Sequence, residues 1–397
     1  MDLKTTLDYE QVRQFSRNLV SEVVEVVSKP GLPDWDQVLP STELLAKYAI
    51  FHPTNNILLF GSHHGALGVY IARRLTVGQL SITDNNYIAL EMTRKTLEVN
   101  QITSVNILAD IDLRCEGNQR YDSVFIQIPK GRKLTRRWLI QAHLALVLGG
   151  TIYIAGLNNS GIQSAIKDAM EIFSNGRILA YKKGNRIAQL VKQSDDLAQP
   201  DWALTPGIAP GSWVEFSIQL NDHGFLIRSL PGVFSFDRLD AGTKMLLSIS
   251  KIQSGAKVLD VGCGYGVIGM FAAFHGAGWV DFIDSDLLAI AACKESLAVN
   301  QISNATVLTG DLLAPVYSKK YDLILSNPPF HAGQAVDFQI AEAMIRQSYR
   351  ALNPDGRMTI VANRFIPYDR LINEIFGNVS CLVESGRFYV LSGIKSG

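Results

Sequence analysis

Residues 257–269 read KVLDVGCGYGVIG, and this stretch decides the fold. A short apolar run closes on Asp260 and Val261, and glycines follow at 262, 264, 266 and 269. Such a run, a glycine loop and then a longer apolar segment form the opening of a strand–loop–helix unit. Downstream, WVDFID (279–284), TVLTG (306–310), YDLILS (321–326) and RMTIVA (357–362) are further runs of strand type. Helix-like segments such as LLAIAACKESLAVN (287–300) and FQIAEAMIRQSYRAL (338–352) separate them. Strands alternating with helices imply a mostly parallel sheet covered on both faces, an α/β, Rossmann-like domain.

The same series occurs a second time, upstream. LEVNQIT (97–103) returns as LAVNQIS (297–303), with five of seven residues identical at an offset of 200. GSHHGALG (61–68) stands opposite GCGYGVIG (262–269), and YDSVFIQIPK (121–130) opposite YDLILSNPPF (321–330). Gly150 before TIYIA matches Gly356 before RMTIV, now at an offset of 206. Order and spacing persist over about a hundred residues, so two copies of one fold are expected in tandem. The Pro-, Gly- and Asp-containing stretch 196–212 reads as a linker between domains at 1–195 and 213–397. After it, WVEFSIQLNDHGFLIRSL reads as a hairpin turning at Asn221-Asp222-His223-Gly224.

Bulk properties narrow the classes. Of 397 residues 47% are hydrophobic and 19% charged, which suits large folded cores and excludes a disordered chain. No apolar run approaches the length that spans a bilayer. The N-terminal MDLKTTLDYEQVRQF carries acids and has no export or transit pattern, so a cytoplasmic protein is expected. Cys115, Cys263, Cys293 and Cys381 lack metal-ligand spacing, so they read as free thiols, and no metal is expected. Net charge is zero, yet residues 120–192 hold 12 basic against 3 acidic side chains. Within that stretch Lys130, Arg132, Lys133, Arg136 and Arg137 form a candidate phosphate-contacting surface; an ordinary solvated helix face is the plainer alternative.

Gly264-Tyr-Gly266-Val-Ile-Gly269, with Asp284 twenty residues after Gly264, also satisfies a dinucleotide fingerprint. Two features favour another cofactor. The first is Asp260 in Asp260-Val-Gly262-Cys-Gly264-Tyr-Gly266, the pattern by which class I methyltransferases bind S-adenosylmethionine. A carboxylate there repels a pyrophosphate but suits an ammonium and a sulfonium. The second is Asn327-Pro328-Pro329-Phe330 at the end of the fourth strand, the edge where parallel sheets bind ligands. An exocyclic amine has its lone pair delocalised and is a weak nucleophile. The Asn327 side-chain oxygen and the Pro328 carbonyl can each accept one of its N–H groups and favour a pyramidal nitrogen. Prolines make that geometry stiff, and Phe330 offers a ring for an unstacked base.

These motifs resemble the family of ribosomal RNA guanine-N2 methyltransferases, which consist of two tandem class I methyltransferase domains with mostly parallel seven-stranded sheets. The resemblance covers nearly the whole chain. It also rests on Pro231-Gly-Val-Phe234-Ser, Asp240-Ala-Gly242-Thr243 and Ala362-Asn363-Arg364-Phe365-Ile-Pro367-Tyr368. It implies methyl transfer from S-adenosyl-L-methionine to the N2 amine of a guanine, with ribosomal RNA or a ribosomal subunit as partner. It further implies that Phe234, Asp240, Gly242 and Thr243 border the cofactor, and that Asp284 holds its ribose. Asp311 is implied near the adenine amine, and Asn327 near both the methionine moiety and the target. Adenine N6 or a protein glutamine amide is the alternative acceptor; a binding factor without turnover is the non-enzymatic one.

The first copy departs from the pattern at matching places. Leu59 stands opposite Asp260, His63 opposite Gly264, and Gln127-Ile128-Pro129-Lys130 replaces Asn-Pro-Pro-Phe. Leucine accepts no hydrogen bond, and a β-carbon at the Gly264 position would crowd a cofactor. The first domain is therefore expected to have lost methyl transfer and to dock RNA. His63 and His64 raise a metal as an alternative, without a third ligand in view, and Trp138 is either a base-stacking or a helix-buried ring. An internal pseudo-dimer makes a monomer the expected state.

Overall fold

The computed structural model describes residues 9–112, 120–196, 200–220, 223–328 and 335–397, with the backbone alone at 335–337. The chain forms two compact units, one of Gln11–Trp213 and one of Val214–Gly397 together with Tyr9 and Glu10. The division thus falls at 213/214. Within the stretch read as a linker, Asp201–Leu204 forms a single helical turn, and Ala203 and Ile208 are buried in the first unit.

Each unit contains one seven-stranded sheet. In the second unit the order is Ala305–Thr309, Trp279–Asp284, Lys257–Val261, Tyr321–Ser326, Leu352–Asn363, Phe388–Ile394, Ser380–Glu384. The first five strands run parallel and the last two antiparallel. The first unit repeats it as Val105–Leu108, Leu80–Thr83, Ile57–Phe60, Tyr121–Gln127, Leu146–Leu157, Asn185–Val191, Ser174–Lys182. Central strands are buried on both faces, which is why Ile57-Leu-Leu-Phe60 and Leu323-Ile-Leu325 are continuously apolar. Among the described residues, no helix is long and apolar enough to cross a membrane.

In the second sheet the strand order reverses between Lys257–Val261 and Tyr321–Ser326, which pair in register Val261↔Ser326. Ser326 ties the two ends together by donating to the Val261 carbonyl at 2.7 Å. Asp260, in the first of these strands, and Asn327, directly after the second, thereby both come to the C-terminal edge, where a parallel sheet opens a crevice.

The hairpin expected after residue 212 is present as Val214–Leu220 paired with His223–Ser229; its turn, 221–222, lies outside the described residues. A matching hairpin, Arg13–Leu19 with Glu22–Ser28, precedes the first sheet and was not expected from sequence. The repeated LxVNQI segment explains both. Asn100 donates to the Glu25 carbonyl at 2.6 Å, and Asn300 to the Leu226 carbonyl at 2.7 Å. Thr96 accepts from the Val27 amide and Ser296 from the Arg228 amide. Gln101 and Gln301 then take the same left-handed turn, with φ of 59° and 56°.

Candidate active site

Asp260 ends the first strand of the second sheet with its side chain fully buried. Its Oδ2 accepts the Gly269 amide at 2.9 Å, and its Oδ1 has no hydrogen-bond partner among the described residues. Burial pushes this carboxyl up to about 7, with the Gly269 amide opposing and the charge of Asp284 adding to the rise. A buried, unmatched carboxylate oxygen is costly unless a donor or cation meets it. The loop that follows is open along its own backbone. Gly262 and Gly264 have φ of 69° and 55°. A β-carbon would meet nothing within 4 Å at Gly262, and at Gly264 only Val233 Cγ1 at 4.0 Å. Gly266 serves packing instead, because a β-carbon there would lie 2.7 Å from Cys293 Sγ.

Asp284 shapes the rim of this space. Its Oδ2 accepts the Gly264 amide and its Oδ1 the Asp286 amide, each at 2.9 Å, while burial raises its pKa. The Gly310 amide donates to the Asp284 carbonyl at 3.0 Å and so brings Asp311 to the same edge.

Asn327 is held by the start of helix Ala241–Ile249. Asp240 caps that helix, its Oδ2 accepting the Thr243 amide at 3.0 Å. Asn327 Nδ2 donates to Asp240 Oδ2 at 3.2 Å and to Thr243 Oγ1 at 2.8 Å. A carboxylate can only accept, so the amide nitrogen must face Asp240 and the oxygen must face away. Among the described residues, nothing donates to Asn327 Oδ1. Asp240 and Thr243, expected at the cofactor, orient the Asn327 amide, a link the sequence reading missed although Asp-Ala-Gly-Thr signals a helix cap. Gly242 lies where a β-carbon would come within 3.0 Å of Asp240 Oδ2. Phe234 stands 67% exposed; Pro329 and Phe330 lie outside the described residues.

The first unit fills the corresponding space. Leu59 is buried, and Asp84, the counterpart of Asp284, spends its Oδ2 on the Ser62 and His63 amides at 2.8 and 3.3 Å. Gln127 is turned the other way from Asn327: its Nε2 donates to the Gly61 carbonyl and its Oε1 accepts from Thr42 at 2.8 Å. A β-carbon at Gly61 would strike the Gln127 carbonyl at 2.6 Å, whereas Gly262 faces open space. His63 meets the Pro33 carbonyl, and His64 Nε2 lies 3.0 Å from that of Gln37. Burial lowers both imidazoles, His64 to about 3, where its neighbour's charge adds to the effect. They are neutral packing groups at pH 7.

The basic stretch is corrected in part. Arg137 cannot face RNA: it is 2% exposed, pairs with Asp112 and donates to the Gly207 carbonyl at 2.9 Å. Arg136 and Arg132 both grip the buried carboxylate of Asp168, Arg136 at 2.9 Å and Arg132 at 2.6 Å. Burial raises Asp168, and the two guanidinium partners outweigh it, leaving its pKa lowered. Trp138 is buried against Phe60. Lys130, Arg132 and Lys133 remain exposed at the start of helix Arg132–Ala145.

The methyltransferase small domain model matches the chain twice, over residues 23–189 and 224–392. The ribosomal RNA small subunit methyltransferase C of Psychromonas ingrahamii is 34% identical over 281 residues, 70% of this chain and 77% of that one. Its Salmonella arizonae counterpart is 34% identical over 275 residues, 68% of this chain and 74% of that one. The chain belongs to the ribosomal RNA small subunit methyltransferase C family. A solved T. thermophilus 16S rRNA N2 methyltransferase, in complex with AdoMet and guanosine, shares the fold at a TM-score of 0.79 and 24% identity. That likeness covers 98% of this chain and 99% of that one. The double match to the domain model coincides with the two sheets, and the Asn-Pro-Pro-Phe motif falls in the second.

Proposed function

We propose that the second unit transfers a methyl group from S-adenosyl-L-methionine to the exocyclic N2 amine of a guanine in ribosomal RNA. One observation carries this reading: Asn327 is locked by Asp240 and Thr243 with its amide oxygen turned away from them, at the sheet edge where the strand carrying Asp260 also ends. S-adenosylmethionine, when bound, supplies an electrophilic methyl on its sulfonium. Asp260 would hold the ammonium of its methionine moiety, with the open glycine turn at 262–264 leaving room for the backbone to be approached. Asp284 would accept from its ribose hydroxyls and Asp311 from its adenine amine. Phe234, exposed nearby in sequence to Asp240, flanks the cofactor.

Asn327 Oδ1 and the Pro328 carbonyl each accept one N–H of the guanine amine. Held off the base plane, these two acceptors favour a pyramidal nitrogen and offset the positive charge that grows on it. Because Asn327 is already oriented by Asp240 and Thr243, no reorganisation is needed at the moment of reaction. The chemistry asks for no metal, since two carbonyl oxygens carry it. Pro329 stiffens the motif and Phe330 stacks the flipped base.

The first unit docks RNA through Lys130, Lys133 and the exposed side of Arg132; Arg132 and Arg136 share Asp168, and Arg136 is the more buried of the two. A monomer acting in the cytoplasm fits a chain that carries both roles. Asn327→Ala tests the site: transfer should fall at least a hundredfold, measured as N2-methylguanosine by nucleoside mass analysis, with donor affinity only partly weakened. Full transfer by that variant would remove Asn327 from the chemistry. Modification of another amine in the same assay would replace guanine N2 as the acceptor.

A further inference from the structure

Tyr9 lies far upstream in sequence but belongs to the catalytic unit. Its ring is buried and its hydroxyl donates to Asp311 Oδ1 at 2.5 Å. Next to it, Glu10 Oε1 accepts from Gln347 Nε2 at 2.9 Å, and Gln347 Oε1 accepts the Leu313 amide at 3.0 Å. Two consecutive residues thus hold both ends of the loop Asp311-Leu312-Leu313, whose middle residue takes a left-handed φ of 49°. This loop leaves the strand Ala305–Thr309 at the same edge as Asp284, to which the Gly310 amide is tied.

The duplication shows that such a contact is built into the fold. In the first unit, the loop after strand Val105–Leu108 is held through Arg137, which joins Asp112 to the carbonyl of Gly207. Gly207 lies upstream of the second hairpin as Tyr9 lies upstream of the first. In each unit, then, a segment preceding a hairpin is linked to the loop after the third strand. In the first unit the link is indirect, because Arg137 of the helix bridges Asp112 and the Gly207 carbonyl. In the second it is direct, from the Tyr9 hydroxyl to the Asp311 carboxylate.

We infer that Tyr9 is a positioning residue for donor recognition: its hydroxyl fixes the rotation of the Asp311 carboxylate so that Asp311 can accept the amine of the adenine ring. The inference rests on the donor site proposed above. Burial and the neighbouring Asp311 both hold the Tyr9 phenol protonated, as a donor must be. Nothing in the local sequence of residues 1–10 signals this role, because the partner lies 302 positions away.

The test is Tyr9→Phe in the full chain, which keeps the buried ring and removes only the hydroxyl. Calorimetry is run with S-adenosylhomocysteine and with S-inosylhomocysteine, in which a carbonyl replaces the adenine amine. Wild type should prefer the adenosyl form, and Y9F should bind it about fivefold more weakly while its affinity for the inosyl form stays put. In turnover, the donor KM should rise with kcat unchanged. Equal weakening toward both analogues would make Tyr9 a structural prop and overturn the inference, as would unchanged adenosyl affinity in Y9F. If wild type binds neither analogue, the donor site itself is wrong; that outcome is separate from a wild type that binds and a variant that does not differ.

Discussion

Asp260 shows how a single buried carboxyl can report on the donor. In an unfolded chain it titrates near 3.8, and in the fold at about 7. Between those values the folded chain holds the extra proton, so this group's contribution to stability declines as pH rises from about 4 to about 7. A cationic donor at Oδ1 favours the charged form and reverses that shift. Donor binding should therefore release up to about one proton below pH 7, tightening by up to roughly tenfold per pH unit and levelling above it. Calorimetry in buffers of different ionisation heat measures the proton directly, and Asp260→Asn should flatten the profile. Donor affinity that is independent of pH in the wild type would place the ammonium elsewhere. Residues of this kind were legible in sequence because Asp260 and Asn327 each sit in a local motif. Their orientation was not: the side of Asn327 that faces outward depends on Asp240, 87 positions away.

Helix Arg132–Ala145 illustrates the limit of reading charge along an element. Five basic residues within 130–137 suggested one phosphate-binding face. The helix divides them, because its buried side takes Leu134, Arg137 and Trp138 while Lys130, Arg132 and Lys133 stay at its exposed start. Arg137→Ala should destabilise the first unit by about 3 kcal/mol, read as a lower urea midpoint, because a buried guanidinium with three polar contacts is lost. Lys130→Ala combined with Lys133→Ala should leave that midpoint in place. It should weaken RNA binding and reduce the salt slope by roughly 1.5, the share of two phosphate contacts. RNA binding that falls with Arg137 alone, at unchanged stability, would reverse this assignment. The partners that decide the split, Asp112, Asp168 and Gly207, lie 25 to 70 positions from the helix residues they hold.

At the scale of the whole molecule, one fold serves two ends. Both units keep the sheet order, the hairpin and the Asn-Gln turn, so the duplicated sequence preserved what folding needs. The Asn-Pro-Pro-Phe motif is kept in only one of them. The chain should therefore bind one equivalent of donor in a calorimetric titration. Leu59→Asp should not create a second site, because the Gln127 carbonyl still occupies the space beside Gly61 and Gln127 Oε1 is already engaged by Thr42. Two equivalents of donor, or a second site in that variant, would show that the first pocket is open after all.

The sequence by itself determined the α/β class, the internal repeat, the position of the glycine turn and the place of Asn-Pro-Pro-Phe after the fourth strand. Each of these is written in short-range periodicity or in a contiguous pattern. Tertiary structure alone decided that Gln127 and Asn327 turn their amides in opposite senses, that Arg137 is core, and that Tyr9 reaches Asp311. The physical reason is common to all three: hydrogen-bond direction and burial are set by partners brought together across the sheet, and no local pattern encodes who those partners are.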